Sequence, residues 1–418
     1  MPIPTTEAVR TTESIDSNKS YIIPFILVTS LFFLWGMANI LNSALIAHFQ
    51  PVFTISRAEA MFVETAFYFG YFTFAIPAGV FMEKQGYKKG ILLGLILYAV
   101  GAFLFIPAAN LLTFGFFLVA LYIIACGLAF LETAANPYVT ILGKPETSVL
   151  RLNFSQSFNG LALVVGPFIA GRFIFAGNEG AMTTIAEKQQ AADAVIFPYA
   201  LIGGVVLTVA FCFYLTRMPE PAKGAALKFD KRIFKKRHLI YAVIAQLFYV
   251  GAQAGIWGIT IDYITDILPG TSKEVASQKF LVIGTSLFVV GRILGTIFLT
   301  FIKDHKLLSV YALAAALLCL GGIFAEGLVA VYSMLAINFF MSIMFPTIFA
   351  LGVKNLGEFT KLGSSFIIMA IVGGAILPPV MGYMAIAVGI QLSFILPCFC
   401  FLVVLWYALK GYNAEPAS

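Results

Sequence analysis

Charge is scarce inside the apolar stretches of this chain, and that scarcity picks out the residues able to do chemistry. Within those stretches the charged side chains are Glu64, Glu132, Asp262 and Arg292. A charge deep in an apolar medium costs several kcal/mol, so each needs a reason to be there. Glu132 has the most telling company. In Leu131-Glu132-Thr133-Ala134-Ala135-Asn136-Pro137 a carboxylate and an amide stand four residues apart, on one helix face. Pro137 lacks an N–H and frees a carbonyl in the preceding turn. The next apolar run offers Asn153, Gln156 and Asn159 at helical spacing. A carboxylate facing amides provides the donors and acceptors that a polyhydroxylated ligand such as a sugar needs.

The theme repeats later in the chain. Gln246, Gln253 and Trp257 lie in one run, and Gln253 and Trp257 share a face. The first run carries Trp35, Asn39, Asn42 and Ser43, with Asn39 and Asn42 on one face. Asn338 is a further isolated amide. Hydrogen bonding between packed helices is the competing use for such amides. Asp262 falls near the end of its run, where a vestibule would lie. Glu64 stands close enough to the start of its run to reach the interface. Arg292 follows Gly291 and serves either as an interior lock or in a cavity. His48, His238 and His305 are scattered, without ligand spacing. No phosphate-binding loop, zinc motif or nucleophile elbow is present, which argues against an ATP-driven pump and against an enzyme. No cofactor is expected beyond a coupling ion.

The elements that must position these residues follow from composition. Of 418 residues, 60% are hydrophobic and 11% charged, and Phe alone numbers 42. A soluble globule carries about 25% charged residues. This composition excludes a disordered chain, a nucleic-acid-binding domain and a disulfide scaffold. Apolar runs of about 20 residues span a bilayer as helices. Twelve such runs are read, from 22–48 to 390–410. The expected architecture is an all-α membrane protein of two pseudo-symmetric six-helix halves. The halves are 22–215 and 239–410, joined by a basic linker 216–238, with tails 1–21 and 411–418. The first twenty residues hold no apolar leader, so no cleavable signal is expected. With the N-terminus inside, 20 of the 26 Lys and Arg fall on inner segments, including Lys231, Arg232, Lys235, Lys236 and Arg237 of the linker. That bias predicts both termini on the cytoplasmic side, and it makes the linker an anchor near anionic lipid.

An internal repeat supports the two halves. Pro137, Leu142-Gly143 and Ser157-Phe158 recur as Pro346, Leu351-Gly352 and Ser365-Phe366. Two parallel six-helix repeats joined by a loop are the plan of a secondary transporter. The hairpin Gly79-Val-Phe-Met-Glu83-Lys84-Gln-Gly86-Tyr-Lys88-Lys89 resembles the signature of the major facilitator superfamily, with Glu83 where that signature has Asp. Gly79 permits close helix approach, Gly86 permits a left-handed turn, and the charges can pair across the inner face. Its expected role is gating.

Phe32–Asn39, Ala66–Tyr71, Ile76–Gly79, Leu131–Pro137, Arg151–Asn159, Tyr249–Gln253 and Phe345–Gly357 together resemble the fucose permease family of that superfamily. The resemblance runs from the first run to the eleventh. It implies a sugar symporter of a bacterial inner membrane, of the L-fucose/H⁺ or glucose/galactose kind, some of them Na⁺-driven. It also implies that Asn39, Asn42, Glu132, Asn136, Gln156, Asn159 and Gln253 stand on the family's polar positions. One departure matters. Proton-coupled fucose permeases pair the helix-four Glu with an Asp late in helix one, and that position is Ser43 here. A hydroxyl with nearby amides would instead suit Na⁺, held at Ser43, Asn42 and Glu132. Alternatively, Asp262 takes the missing role. The expectation is therefore Na⁺-coupled hexose symport by a monomer, with Asn39, Glu132, Asn136, Gln156, Asn159, Gln253, Trp257 and Asn338 lining the sugar site. H⁺-coupled symport of fucose or another sugar is the alternative. A drug/H⁺ antiporter, a channel or a receptor are the rivals from other classes.

Overall fold

The computed structural model describes residues 21–55, 57–60, 62–174, 184–220, 231–271 and 275–413, and among them it is helical throughout, without strands. Twelve of its helices form the main series: α1 Ile22–Phe53, α2 Phe62–Gln85, α3 Tyr87–Phe103, α4 Phe114–Ile141, α5 Ser148–Ile169 and α6 Ile196–Leu215. Then come α7 Arg237–Ile267, α8 Val282–Phe298, α9 Asp304–Phe324, α10, α11 and α12 Ile395–Trp406. Helix α10 runs in two segments, Gly327–Met341 and Met344–Val353. Helix α11 joins Thr360–Met369 to Gly373–Val388 through a tighter turn.

Among the described residues eleven helices are long and apolar enough to cross a membrane. The twelfth by position is α5. It is 22 residues long, but Arg151, Asn153, Gln156, Ser157 and Asn159 lower its apolar character. The outer surface is apolar, with Phe69, Phe154, Phe211, Tyr214 and Ile386 exposed. In water this would be an aggregation surface; in lipid it is the expected exterior.

The packing repeats with the sequence. In the first half α1 packs on α5, α2 and α3 on α4, and α3 on α6. In the second half α7 packs on α11, α8 and α9 on α10, and α9 on α12. Each pair maps onto its mate by a shift of six helices. The halves meet through α2 with α11 and through α5 with α8, again a matched pair, and α4 also touches α11. These contacts gather on the face that carries the α2–α3 hairpin. Lys361 Nζ of α11 donates to the Met82 carbonyl at 3.0 Å, and Asn153 Nδ2 of α5 donates to Thr347 Oγ1 at 3.4 Å.

The hairpin is built by reciprocal capping. Gly86 turns the chain at φ +89, where a side chain would be strained. The Glu220 carboxylate, just past α6, accepts from Tyr87 N at 2.9 Å and Lys88 N at 2.7 Å, at the positive end of α3. Lys88 Nζ returns the favour, donating to the last carbonyls of α6 at Tyr214 and Thr216, both at 2.8 Å. Lys89 bonds Gln85 within the hairpin at 2.9 Å, and Lys84 is exposed. The sequence predicts charge pairing across the face. Lys361 of α11 faces the Glu83 carboxylate across the halves, while Lys88 and Lys89 bond inside the first half, Lys88 to helix-end carbonyls that need donors an apolar surrounding cannot supply. The cross-half bond at Met82 comes from Lys361, one residue before the motif carboxylate Glu83.

Gly79 is where α2 comes closest to α11: a Cβ there would lie 1.9 Å from Ser365 Oγ and 3.2 Å from the Lys361 carbonyl. Overpacking of this kind costs about 1–3 kcal/mol. Gly79→Val is expected to slow transport about tenfold by preventing closure on the hairpin face, and Ser365→Gly is expected to restore much of it. Wild-type uptake rates in Gly79→Val would refute the close-approach reading.

Candidate functional site

Helices α2, α4 and α5 bring the centre together. Glu132 is buried in α4, and Tyr71 of α2 donates its hydroxyl to Oε1 at 2.5 Å. The other oxygen, Oε2, is shut from solvent and has no hydrogen-bond partner. No Lys or Arg forms an ion pair with Glu132 among the described residues. Asn136, one turn on, donates Nδ2 to the Glu132 carbonyl at 2.9 Å. Its Oδ1 accepts from Gln156 Nε2 of α5 at 3.2 Å. The expected α4–α5 juxtaposition of carboxylate and amides is therefore present. A carboxyl with one phenol donor and one free oxygen can exchange a single proton, or accept from a ligand hydroxyl.

Helix α5 is pinned against α1 by Asn159 Nδ2, which donates to the Phe32 carbonyl at 3.3 Å, and by the Thr29–Ser155 hydroxyl pair at 3.0 Å. On the second half, Trp257 Nε1 of α7 donates to Asn338 Oδ1 of α10 at 2.7 Å, and its ring meets the edge of Phe288 at 5.4 Å. Two residues noted separately in the sequence are thus one unit. Trp257 keeps 37% of its surface exposed, whereas Asn338 is buried. Gln253, one turn back on α7, is half-buried. The two halves touch here through Trp35 and Phe345, ring centres 6.0 Å apart. They also touch through Arg292, which donates Nη1 to the Gln156 carbonyl at 2.9 Å.

Other expected residues stand apart from this network. Asn39 is half-buried and donates to the Trp35 carbonyl at 3.2 Å. Asn42 is buried, with Oδ1 unpartnered. The Ser43 side chain lies outside the described residues, and with it the expected Ser43–Asn42–Glu132 cation site. Asp262 is half-buried, five residues beyond Trp257. His48 lies within α1 and is buried where Nε2 meets the Ala191 carbonyl at 3.0 Å. No group of three His, Cys, Asp or Glu suited to a metal ion occurs among the described residues. Tyr71 is the partner that sequence reasoning missed. Its helix carries many aromatics, and no spacing rule links a tyrosine on one helix to a carboxylate on another.

The chain matches the Major Facilitator Superfamily over residues 27–371. It is 41% identical over 411 residues to the L-fucose-proton symporter of Escherichia coli K12, covering 94% of this chain and 93% of that protein. It is 36% identical over 412 residues to a glucose/galactose transporter of Brucella abortus, covering 98% of each. The crystal structure of the major facilitator transporter FucP in the outward conformation aligns with a TM-score of 0.86 at 41% identity, covering 94% of this chain and 99% of that one. The chain belongs to the fucose permease family of the Major Facilitator Superfamily. It is a multi-pass membrane transporter and not an enzyme, as the absence of nucleophile and cofactor motifs led us to expect. The expectation of Na⁺ coupling finds no support among these relatives: those named for fucose are proton symporters.

In this permease Tyr71 serves the Glu132 carboxyl. A hydrogen bond to such a group is worth about 1.5–3 kcal/mol. Tyr71→Phe is expected to lower transport about tenfold at unchanged protein level, and to add nothing on top of Glu132→Gln. Additive losses in the double variant would show that Tyr71 acts elsewhere.

Proposed function

We propose that this permease is a proton-coupled monosaccharide symporter taking an L-fucose-like sugar, working by alternating access between its two halves. The observation that carries the reading is the Glu132 carboxyl, buried without a cation, bonded by Tyr71 at one oxygen and free at the other. A charge at this depth costs several kcal/mol. Gain or loss of one proton therefore changes the energy of the site enough to favour one conformation over another. The relatives named as L-fucose-proton symporters, 41% and 40% identical, support both the ion and the sugar class.

In this reading Asn136, Gln156 and Asn159 from the first half, with Asn39, face Gln253, Trp257 and Asn338 from the second. The sugar sits between them near the midplane. Its hydroxyls exchange bonds with amides, and one ring face lies on the exposed part of Trp257. Glu132 carries the coupling proton. Asn42 and Ser43 belong to the path on α1, and Asp262 stands near the end of α7. Residues 22–215 and 239–410 are the moving halves, 216–238 links them, and 1–21 and 411–418 are tails. Both termini lie in the cytoplasm, in a bacterial inner membrane, and a single copy suffices. The Gly79–Lys89 hairpin then closes the cytoplasmic face, and the site opens outward, as in the FucP structure described as outward.

The test is uptake into proteoliposomes of purified protein under an imposed proton gradient, offering labelled L-fucose, galactose and glucose in turn. Uphill uptake driven by H⁺ and indifferent to Na⁺ is expected, fastest for L-fucose. Glu132→Gln is expected to lose accumulation while still exchanging sugar across the membrane. Proton-driven accumulation by Glu132→Gln would sink the assignment of the coupling residue.

A further inference from the structure

Helix α10 is broken at Ser342 and Ile343, and the break has a chemical cause. Pro346 has no N–H, so the Ser342 carbonyl four residues earlier has no helical donor. Arg292 of α8 supplies one: its Nε donates to that carbonyl at 2.8 Å. The neighbouring Met341 carbonyl takes the Tyr249 hydroxyl of α7 at 2.9 Å. The other arm of the guanidinium leaves the second half altogether. Nη1 donates to the Gln156 carbonyl of α5 at 2.9 Å. Arg292 is buried, its guanidinium lies over the Phe288 ring at 4.7 Å, and it forms no ion pair among the described residues.

A glycine makes this reach possible. A Cβ on Gly291 would lie 2.4 Å from the Phe339 carbonyl, so α8 meets α10 this closely only with glycine beside Arg292.

We infer that Arg292 is a positioning residue that ties the break in α10 to the Gln156 turn of α5 and so latches the two halves on the hairpin face. One bond stays within the second half and the other crosses between halves, so the crossing bond is the one that parting of the halves must break. The side chain of the same Gln156 grips Asn136, one turn from Glu132. The latch therefore bears on the turn where ligand and proton are held. This deepens the symport reading and rests on it only for the link to transport, because the closure itself can be read without sugar or proton.

The test uses full-length protein with its five native cysteines replaced, in membranes, labelled by an impermeant maleimide. Thr347→Cys reports the closed hairpin face, where Thr347 is buried against Asn153. Trp257→Cys reports the opposite, exposed side. Adding Arg292→Gln is expected to raise labelling at Thr347→Cys about tenfold, the loss of one charge-assisted hydrogen bond, and to lower it at Trp257→Cys. Arg292→Lys, which keeps the charge without the two-armed fork, is expected to fall between. Unchanged labelling at both sites, or a rise at both, overturns the latch, since a merely structural role loosens both faces together. Should Arg292→Gln not insert, Arg292→Lys takes its place, with the same outcomes. Failure of both to insert assigns Arg292 to folding alone and overturns the proposal. Coupled uptake surviving Glu132→Gln would defeat the proton assignment and leave the labelling result standing.

Discussion

In an apolar surrounding every polar atom must find its partner inside the protein, and this constraint organises the whole permease. It explains why helix ends are closed by side chains from elsewhere in the chain. Lys88 completes α6, Glu220 completes α3, and Arg151 closes α4 by donating to Val139 at 3.1 Å and Thr140 at 2.8 Å. Water would do the same work at the end of a soluble helix. Here charged side chains do it, and they are therefore held in fixed places. The constraint also gives meaning to its exceptions. Glu132 Oε2, Asn42 Oδ1 and both amide atoms of Gln246 are buried and unpartnered. They are costly atoms in this conformation, and two of the three residues lie on helices α1 and α4 of the proposed site.

The two halves are copies in packing but not in chemistry. Pro137 and Pro346 occupy matching positions, each removing a donor from the turn before it. Helix α4 continues unbroken through Pro137, whereas α10 separates into two segments before Pro346. The difference lies in the neighbours. In α10 the freed carbonyls meet an arginine and a tyrosine from adjacent helices, which stabilise an open turn. In α4 the same stretch carries Glu132 and Asn136, whose amide bonds back onto its own helix at the Glu132 carbonyl. One half therefore holds the buried carboxyl on a continuous rod. The other holds a bent rod gripped by a fixed cation. The two halves thus bring different chemistry to a shared interface.

Much of this was legible in the residues. Period and apolarity gave twelve runs, and the repeat gave two halves. The i, i+4 spacing of Glu132 and Asn136 put them on one face, and charge scarcity made Glu132 conspicuous. What the sequence could not give is contact between distant helices. The Tyr71–Glu132 bond joins residues 61 apart, and Lys361 reaches Met82 across 279. Neither has a local pattern. Pairing of the hairpin charges across the interface was the natural expectation from their signs alone. Glu83 does face Lys361 across the interface, and the carbonyls at the end of α6 take Lys88. Helix α5 shows the converse: the polarity that weakens it as an apolar span is the same stripe that makes it part of the site.

The proposed preference for a proton over sodium is supported by how several oxygens near Glu132 are already engaged. A hard cation needs several oxygen ligands at once. Glu132 Oε1 accepts from Tyr71, Asn136 Oδ1 accepts from Gln156, and the Glu132 carbonyl accepts from Asn136. Each of these oxygens has a donor hydrogen directed at it, which repels a cation as it attracts the lone pair. A cation held at these three oxygens would compete with hydrogen bonds each worth about 0.6–2 kcal/mol in a membrane interior, whereas Glu132 Oε2 and Asn42 Oδ1 are not engaged. A proton needs a single lone pair, and Oε2 has it without disturbing anything else. At Ser43 this turn of α1 carries no carboxylate. In the proposed mechanism Glu132 carries the coupling proton, so the geometry around that carboxyl bears on coupling most directly.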